Sequence, residues 1–80
     1  MIHRLKCAGR FFEDVLSGAK KFEIRQDDRG FRTGDTLDLI EIDAGERETL
    51  RCCRVQVTYI VRAIDFPDGI APGYVVMGIR

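Results

Sequence analysis

The chain has no tryptophan, one histidine, two prolines and three cysteines in 80 residues. Cys7, Cys52 and Cys53 are odd in number and show no C-x-x-C spacing, which signals neither a disulfide framework nor a zinc site. With His3 as the sole imidazole and no ligand-like clustering of acids, neither a metal nor another cofactor is expected. No run approaches the roughly 18 apolar residues that cross a bilayer. Residues 1–9 also lack the basic, apolar, small order of a secretory leader, so a cytoplasmic protein without membrane contact is expected. There is no repeat, and both prolines, Pro67 and Pro72, fall in one late loop.

What remains is a chain that is 45% hydrophobic and 32% charged, with 13 basic and 13 acidic side chains. That is too apolar and too near neutrality for disorder, and too short for two cores, so residues 1–80 are read as one domain. The neutrality hides a gradient. Residues 1–34 carry eight basic side chains against five acids, whereas residues 35–50 carry six acids against Arg47 alone. A local basic patch is compatible with this, but not the strongly basic field that holds duplex DNA.

Local patterning suggests the elements. Residues 2–7 alternate weakly and read as a strand. Phe11, Phe12, Val15 and Leu16 fall on one helical face over residues 10–17, and Gly18 stands where a left-handed cap belongs. The period then becomes two: Phe22 and Ile24 alternate with Lys21, Glu23 and Arg25, giving a strand expected to turn Phe22 and Ile24 toward the core. Residues 26–35 form a charged loop with a lone Phe31. Leu37 and Leu39 share one parity and Ile40 and Ile42 the other, the phase slip of a bulge. Residues 43–46 suit a hairpin into a long strand, 48–62, with Cys53, Val55, Val57, Tyr59 and Val61 aligned. A last strand over residues 73–80 places Val75, Met77 and Ile79 together. The sum is a mainly β, α+β domain: a small, partly open barrel of about five strands with one short helix near its start.

The segment richest in chemistry is Gly18-Ala19-Lys20-Lys21-Phe22-Glu23-Ile24-Arg25. Glu23 and Arg25 share a strand face about 6.6 Å apart. Arg25 could offer a forked donor to phosphate or base, and Glu23 could accept from an exocyclic amine. Lys20 joins them only if it belongs to the turn after Gly18. The alternative is an exposed ion-pair ladder worth under about 1 kcal/mol.

These residues carry a resemblance. The Gly18-x-Lys20-x-x-Glu23-x-Arg25 signature after a helix resembles the ASCH domains of the PUA-like superfamily. His3-x-Leu5-Lys6, Phe12, Asp28-Arg29-x-Phe31, Gly34-Asp35 and Gly73-Tyr74-Val75-Val76 are similar to its short branch of unknown function in bacteria and phages. The resemblance spans nearly the whole chain. It implies a PUA-like β-barrel and a cleft lined by Lys20, Glu23 and Arg25, with RNA or a nucleotide as the proposed partner. Some ASCH relatives are acetylcytidine amidohydrolases using a Lys, a Thr and a later Glu. Here Lys20 matches, Glu23 stands at the Thr position, and residues 63–72 offer only Asp65 and Asp68. Others are ribonucleases, for which His3 would have to work with Glu23 or Lys20.

Lys20 and Glu23 are thus the catalytic candidates, although a carboxylate beside Lys20 favours its ammonium form, which suits binding better than base catalysis. The binding candidates are Lys20, Glu23, Arg25, Arg29, Phe31, Arg32, His3 and Tyr74. Arg29 and Arg32 flank Phe31 and would meet phosphate, and Phe31 would either stack on a base or tuck over the barrel end. His3 would face the cleft or serve as a hydrogen-bonded structural residue, and Tyr74 would line the cleft or pack in the core. The leading expectation is an RNA- or nucleotide-binding domain. A hydrolase of a modified nucleoside or RNA, and a protein-interaction module using the acidic stretch 35–48, are the alternatives. The oligomeric state is open.

Overall fold

Five strands and one helix appear in the order β1 (Ile2–Ala8), α1 (Gly9–Ser17), β2 (Phe22–Gln26), β3 (Thr36–Ile42), β4 (Glu48–Arg62) and β5 (Tyr74–Ile79), in a computed structural model of residues 1–80. The strands form one mixed sheet ordered β1-β3-β4-β5-β2. β1 runs parallel to β3, and the three other neighbouring pairs are antiparallel. β1 and β2 are the two edges and do not pair, so the sheet curls without closing and leaves a seam between them.

The curl rests on β4, whose first half pairs with β3 and whose second half pairs with β5. Two register shifts bend it. The expected slip in β3 lies between Ile40 and Ile42, opposite Glu48 and Cys52, and Leu50 adopts a positive φ of 74° there. Glu41 turns inward at this bulge and accepts 2.6 Å from Thr49 Oγ1. A second shift falls between Val57 and Tyr59, which the unbroken alternation of the sequence conceals. It puts Tyr59 outside and turns Ile60 onto the core in its place. Gly78 faces this bulge, and a Cβ there would stand 2.8 Å from Thr58 Oγ1, so a side chain at position 78 would collide with the bulged strand.

Inside the curl, Leu5 and Cys7 of β1, Leu37 and Leu39 of β3, Val55 and Val57 of β4, and Val75, Met77 and Ile79 of β5 form one apolar cluster. α1 closes one end with Phe12 and Val15, each such side chain contributing about 1.5–3 kcal/mol on burial. Phe11 and Leu16, expected on the same buried face, remain exposed because a nine-residue helix meets the sheet along a narrow stripe. Gly18 ends the helix at φ 87°, and its amide donates 3.1 Å to the Val15 carbonyl. Phe31, from the charged loop, is also fully buried in this cluster.

Candidate functional site

The side chains of β2 point the opposite way from expectation. Glu23 is 3% exposed and Arg25 turns inward beside it, while Phe22 and Ile24 stand outward at 44% and 59% exposure. The physical reason is the seam. With no strand on the open side of β2, the interior there is a polar trough, and the charges inside it neutralise one another.

Glu23 is the centre of that arrangement. Its Oε1 accepts 2.7 Å from Lys20 Nζ, and its Oε2 accepts 2.9 Å from Arg25 Nε, with an Arg25 Nη2 also at 2.9 Å. Lys20 reaches it because the left-handed turn at Gly18 places Lys20 before β2 begins, its amide donating 2.9 Å to the Asp14 carbonyl. Lys20 Nζ also donates 2.6 Å to the Phe22 carbonyl and lies 4.9 Å from the Phe22 ring centre and 5.4 Å from that of Phe11. Both Glu23 oxygens are therefore engaged. Lys20 retains one free N–H and Arg25 retains the rest of its guanidinium fork, so the trough offers donors to a ligand and no free carboxylate.

Two adjoining cavities follow the seam. The one at the helix end, about 280 Å³, is lined by Lys6, Cys7, Phe11, Lys20, Glu23 and Arg25 among others. The one at the loop end, about 430 Å³, includes Arg4, Lys6, Arg25, Asp28, Arg29 and Glu48. Lys6 and Arg25 line both, which makes them the link between the two. Around the joined space stand five cations, Arg4, Lys6, Lys20, Arg25 and Arg29, against Glu23, Asp28 and Glu48. Arg4 lies 3.7 Å from Glu48, and Arg29 lies 3.9 Å from Asp28. Arg4 and Lys6 were not among the sequence candidates. Their shared parity in β1, opposite the buried His3, Leu5 and Cys7, is the signal that could have placed them.

Lys20, Glu23, Arg25 and Arg29 thus meet at the seam, and four other candidates do not expose their side chains there. His3 is buried, its Nε2 2.8 Å from Asp35 Oδ2. Phe31 backs the larger cavity but is 0% exposed, with its ring edge-on to His3 at 4.8 Å, so it offers no open stacking face. Arg62 holds that loop from behind, donating 2.7 Å to the Phe31 carbonyl and 3.2 Å to Asp27 Oδ2, while Asp27 Oδ1 is buried without a partner. Arg32 is exposed, and its amide caps Asp35 at 3.0 Å. Tyr74 lies outward on β5, neither in the core nor on the walls of either cavity.

The acidic stretch is divided, with Asp43, Glu46 and Glu48 exposed and the other acids turned to internal partners. Asp35 and Glu41 are buried, Asp38 pairs with Arg54 at 3.3 Å, and Asp43 caps the β3–β4 turn through the Gly45 and Arg47 amides. The His3 hydrogen bond, the Arg32 amide and the Met1 amine hold Asp35 at about 2, well below the usual carboxylate range. Cys7 faces the trough, but burial, reinforced by Glu23, pushes its thiol up, as burial does for Cys53. Neither is an activated nucleophile. No three His, Cys, Asp or Glu side chains converge as metal ligands, and no helix is long and apolar enough to cross a membrane.

The fold and site define a small mixed-sheet domain with a donor-lined seam between its edge strands. Residues 2–79 match a family described as a domain of unknown function, DUF3850, and the chain belongs to that family. It is also similar to an uncharacterized 12.9 kDa protein in the GpA 3' region of Escherichia phage P2, with 45% identity over 40 residues. That match covers 50% of this chain and 37% of the phage protein.

Proposed function

We propose that the seam binds a nucleotide or a short single-stranded RNA segment through its oxygen acceptors, and that the chain is a cytoplasmic ASCH domain of the PUA-like superfamily. The observation that carries this reading is the Lys20–Glu23–Arg25 cluster. A buried carboxylate with both oxygens engaged spreads two cations toward the adjoining cavities, and Lys6, Arg4 and Arg29 continue the basic lining. Such a cluster favours phosphate or carbonyl oxygen, since the groups that Lys20 and Arg25 leave free are donors and the cations of the lining outnumber its carboxylates. Glu23 then acts by holding Lys20 and Arg25 in place rather than by reading an exocyclic amine. The cavities are near the size range of ligand pockets.

Binding is favoured over hydrolysis by the state of Lys20. Its contacts to Glu23 and the Phe22 carbonyl are those of an ammonium donor, not of a general base. The test is an amide NMR titration at low salt with short RNA oligonucleotides and unmodified and modified nucleosides. Saturable shifts at Lys6, Lys20 to Arg25 and Arg29 are expected, with Arg25→Ala weakening affinity about tenfold or more. Unchanged affinity in Arg25→Ala, or no saturable shift at all, overturns the reading. A ligand spectrum that changes with time transfers the site to a hydrolase.

A further inference from the structure

Both rims of the seam are strand edges without a neighbouring strand, so their main-chain groups have to be accounted for. In β2 the Lys21 carbonyl accepts 3.0 Å from the Ile79 amide, and the Asp27 amide donates 2.8 Å to the Gly73 carbonyl. Alternate residues of an antiparallel pair bond across, so Lys21, Glu23, Arg25 and Asp27 turn their main chain to β5. Phe22, Ile24 and Gln26 therefore turn theirs to the seam. In β1 the Met1 carbonyl accepts 2.9 Å from the Thr36 amide, and the same alternation turns the main chain of Arg4, Lys6 and Ala8 to the seam from the other side. The Cα atoms of β1 and β2 stay more than 8 Å apart along most of the seam, so the two rows do not satisfy each other.

Only on β2 does a cation stand in line with this edge. Lys20 Nζ donates 2.6 Å to the seam-facing Phe22 carbonyl and 2.7 Å to Glu23, which leaves it one N–H. One strand repeat further, about 6.6 Å on, come the free amide and then the free carbonyl of Ile24. The order along the edge is donor, donor, acceptor.

We propose that this edge reads a nucleobase that carries a ring N–H beside a carbonyl, as uracil and guanine do, an assignment that rests on the nucleotide reading of the seam. The base carbonyl accepts from Lys20 Nζ and the Ile24 amide, and the ring N–H donates to the Ile24 carbonyl. Adenine and cytosine have no ring N–H there and bring an amine where the carbonyl would stand, which sets donor against ammonium. Glu23 does not rescue them, since both its oxygens are engaged.

The same edge tells the base end of the seam from the phosphate end. A phosphate has only acceptors, so the free Ile24 carbonyl repels it from the smaller cavity, where Ala8 and Phe11 add apolar surface. Arg10 lies over the Phe11 ring at 4.4 Å, which makes that ring a wall rather than a stacking platform. The larger cavity holds Arg4, Lys6 and Arg29, and its apolar members Leu5, Phe31 and Ile40 are buried in its floor. The phosphate therefore lies there, with Lys6 and Arg25 at the junction.

Amide NMR titration of the full chain with the monophosphates of uridine, guanosine, adenosine and cytidine tests this. Uridine and guanosine monophosphates should bind about tenfold or more tightly than the other two and shift the Ile24 amide at saturation. Methylation at the base N3 of uridine monophosphate should abolish that preference, whereas methylation at the base C5 should keep it. Arg29→Gln should weaken all four alike and leave their ranking unchanged. Equal affinity for the four nucleotides, with saturable shifts at Lys6, Arg25 and Arg29, overturns this inference and leaves the nucleotide reading standing. So does N3-methyluridine monophosphate binding as tightly as its C5-methyl isomer, or a ranking that changes in Arg29→Gln. Binding of none of them overturns both.

Discussion

Glu23 Oε2 lies 2.9 Å from Arg25 Nε on the inward face of a strand whose outward face carries Phe22 and Ile24. The pair is held from its other side by Lys20, so Glu23→Gln would leave two cations sharing one amide oxygen. Removing one partner of a buried ion pair costs about 3–5 kcal/mol when the charges stay buried. Lys20 and Arg25 retain side-chain exposures of 15% and 22%, which lets them turn partly to water. The expected loss is therefore about 2 kcal/mol, read as a lower urea midpoint at unchanged m. A variant as stable as the wild type would mean that the cluster does not organise the trough.

Ligand affinity should fall with salt in proportion to the phosphates neutralised. For single strands each contact adds a slope of about −0.7 in log K against log salt, so Lys6, Arg25 and Arg29 together predict about −2. Arg29→Gln should reduce that slope by about 0.7 and weaken all oligonucleotides alike. Tyr74→Ala should leave both affinity and slope unchanged, because Tyr74 lies outward on β5 and away from the seam. Fluorescence anisotropy over a salt series separates the two variants.

Much of the chain tracing was readable because local chemistry decides it. Gly18 ends α1, the β3 phase slip falls at Ile40–Ile42, and Asp43 to Glu46 make the turn into a strand that runs from Glu48 to Arg62. The orientation of β2 was not readable. Alternation says only that Phe22 and Glu23 face opposite ways, and which side is inside depends on whether a neighbour seals the edge. The missing neighbour is β1, which the topology sends to the far side of the sheet. The Thr58 bulge was hidden for a related reason, since Tyr59 and Ile60 are both apolar enough for a core. Whether Phe31 stacks outward or tucks inward was not readable either, because its burial depends on His3 and Arg62, which are distant in sequence.

Acid should weaken the fold through Asp35. Its folded-state value of about 2 lies below the usual carboxylate value, so its contribution is full above about pH 4 and is lost as pH falls toward 2. Asp35→Asn removes that dependence and deprives His3 of its carboxylate, at an expected cost of about 1–3 kcal/mol at neutral pH. Chemical denaturation at a series of pH values should therefore show a shallower acid limb for the variant. Parallel limbs for variant and wild type would exclude Asp35 as the titrating group.

The three thiols should report on the seam separately. Cys52 is exposed and should react first with a disulfide reagent, and Cys53 is partly covered, with burial pushing its thiol up. Cys7 is buried at the wall of the smaller cavity, and the same effect, with Glu23 beside it, keeps it in the unreactive thiol form. Its labelling in a Cys52→Ser background should wait on local opening of β1 and β2, and so should accelerate in mild denaturant. A ligand seated against Lys20 and Arg25 would cover Cys7 and slow that labelling further, while leaving Cys53 untouched. Labelling of Cys7 as fast as that of Cys52 in the native protein would mean that the seam is open to its floor, and loss of the ligand effect would place the ligand elsewhere.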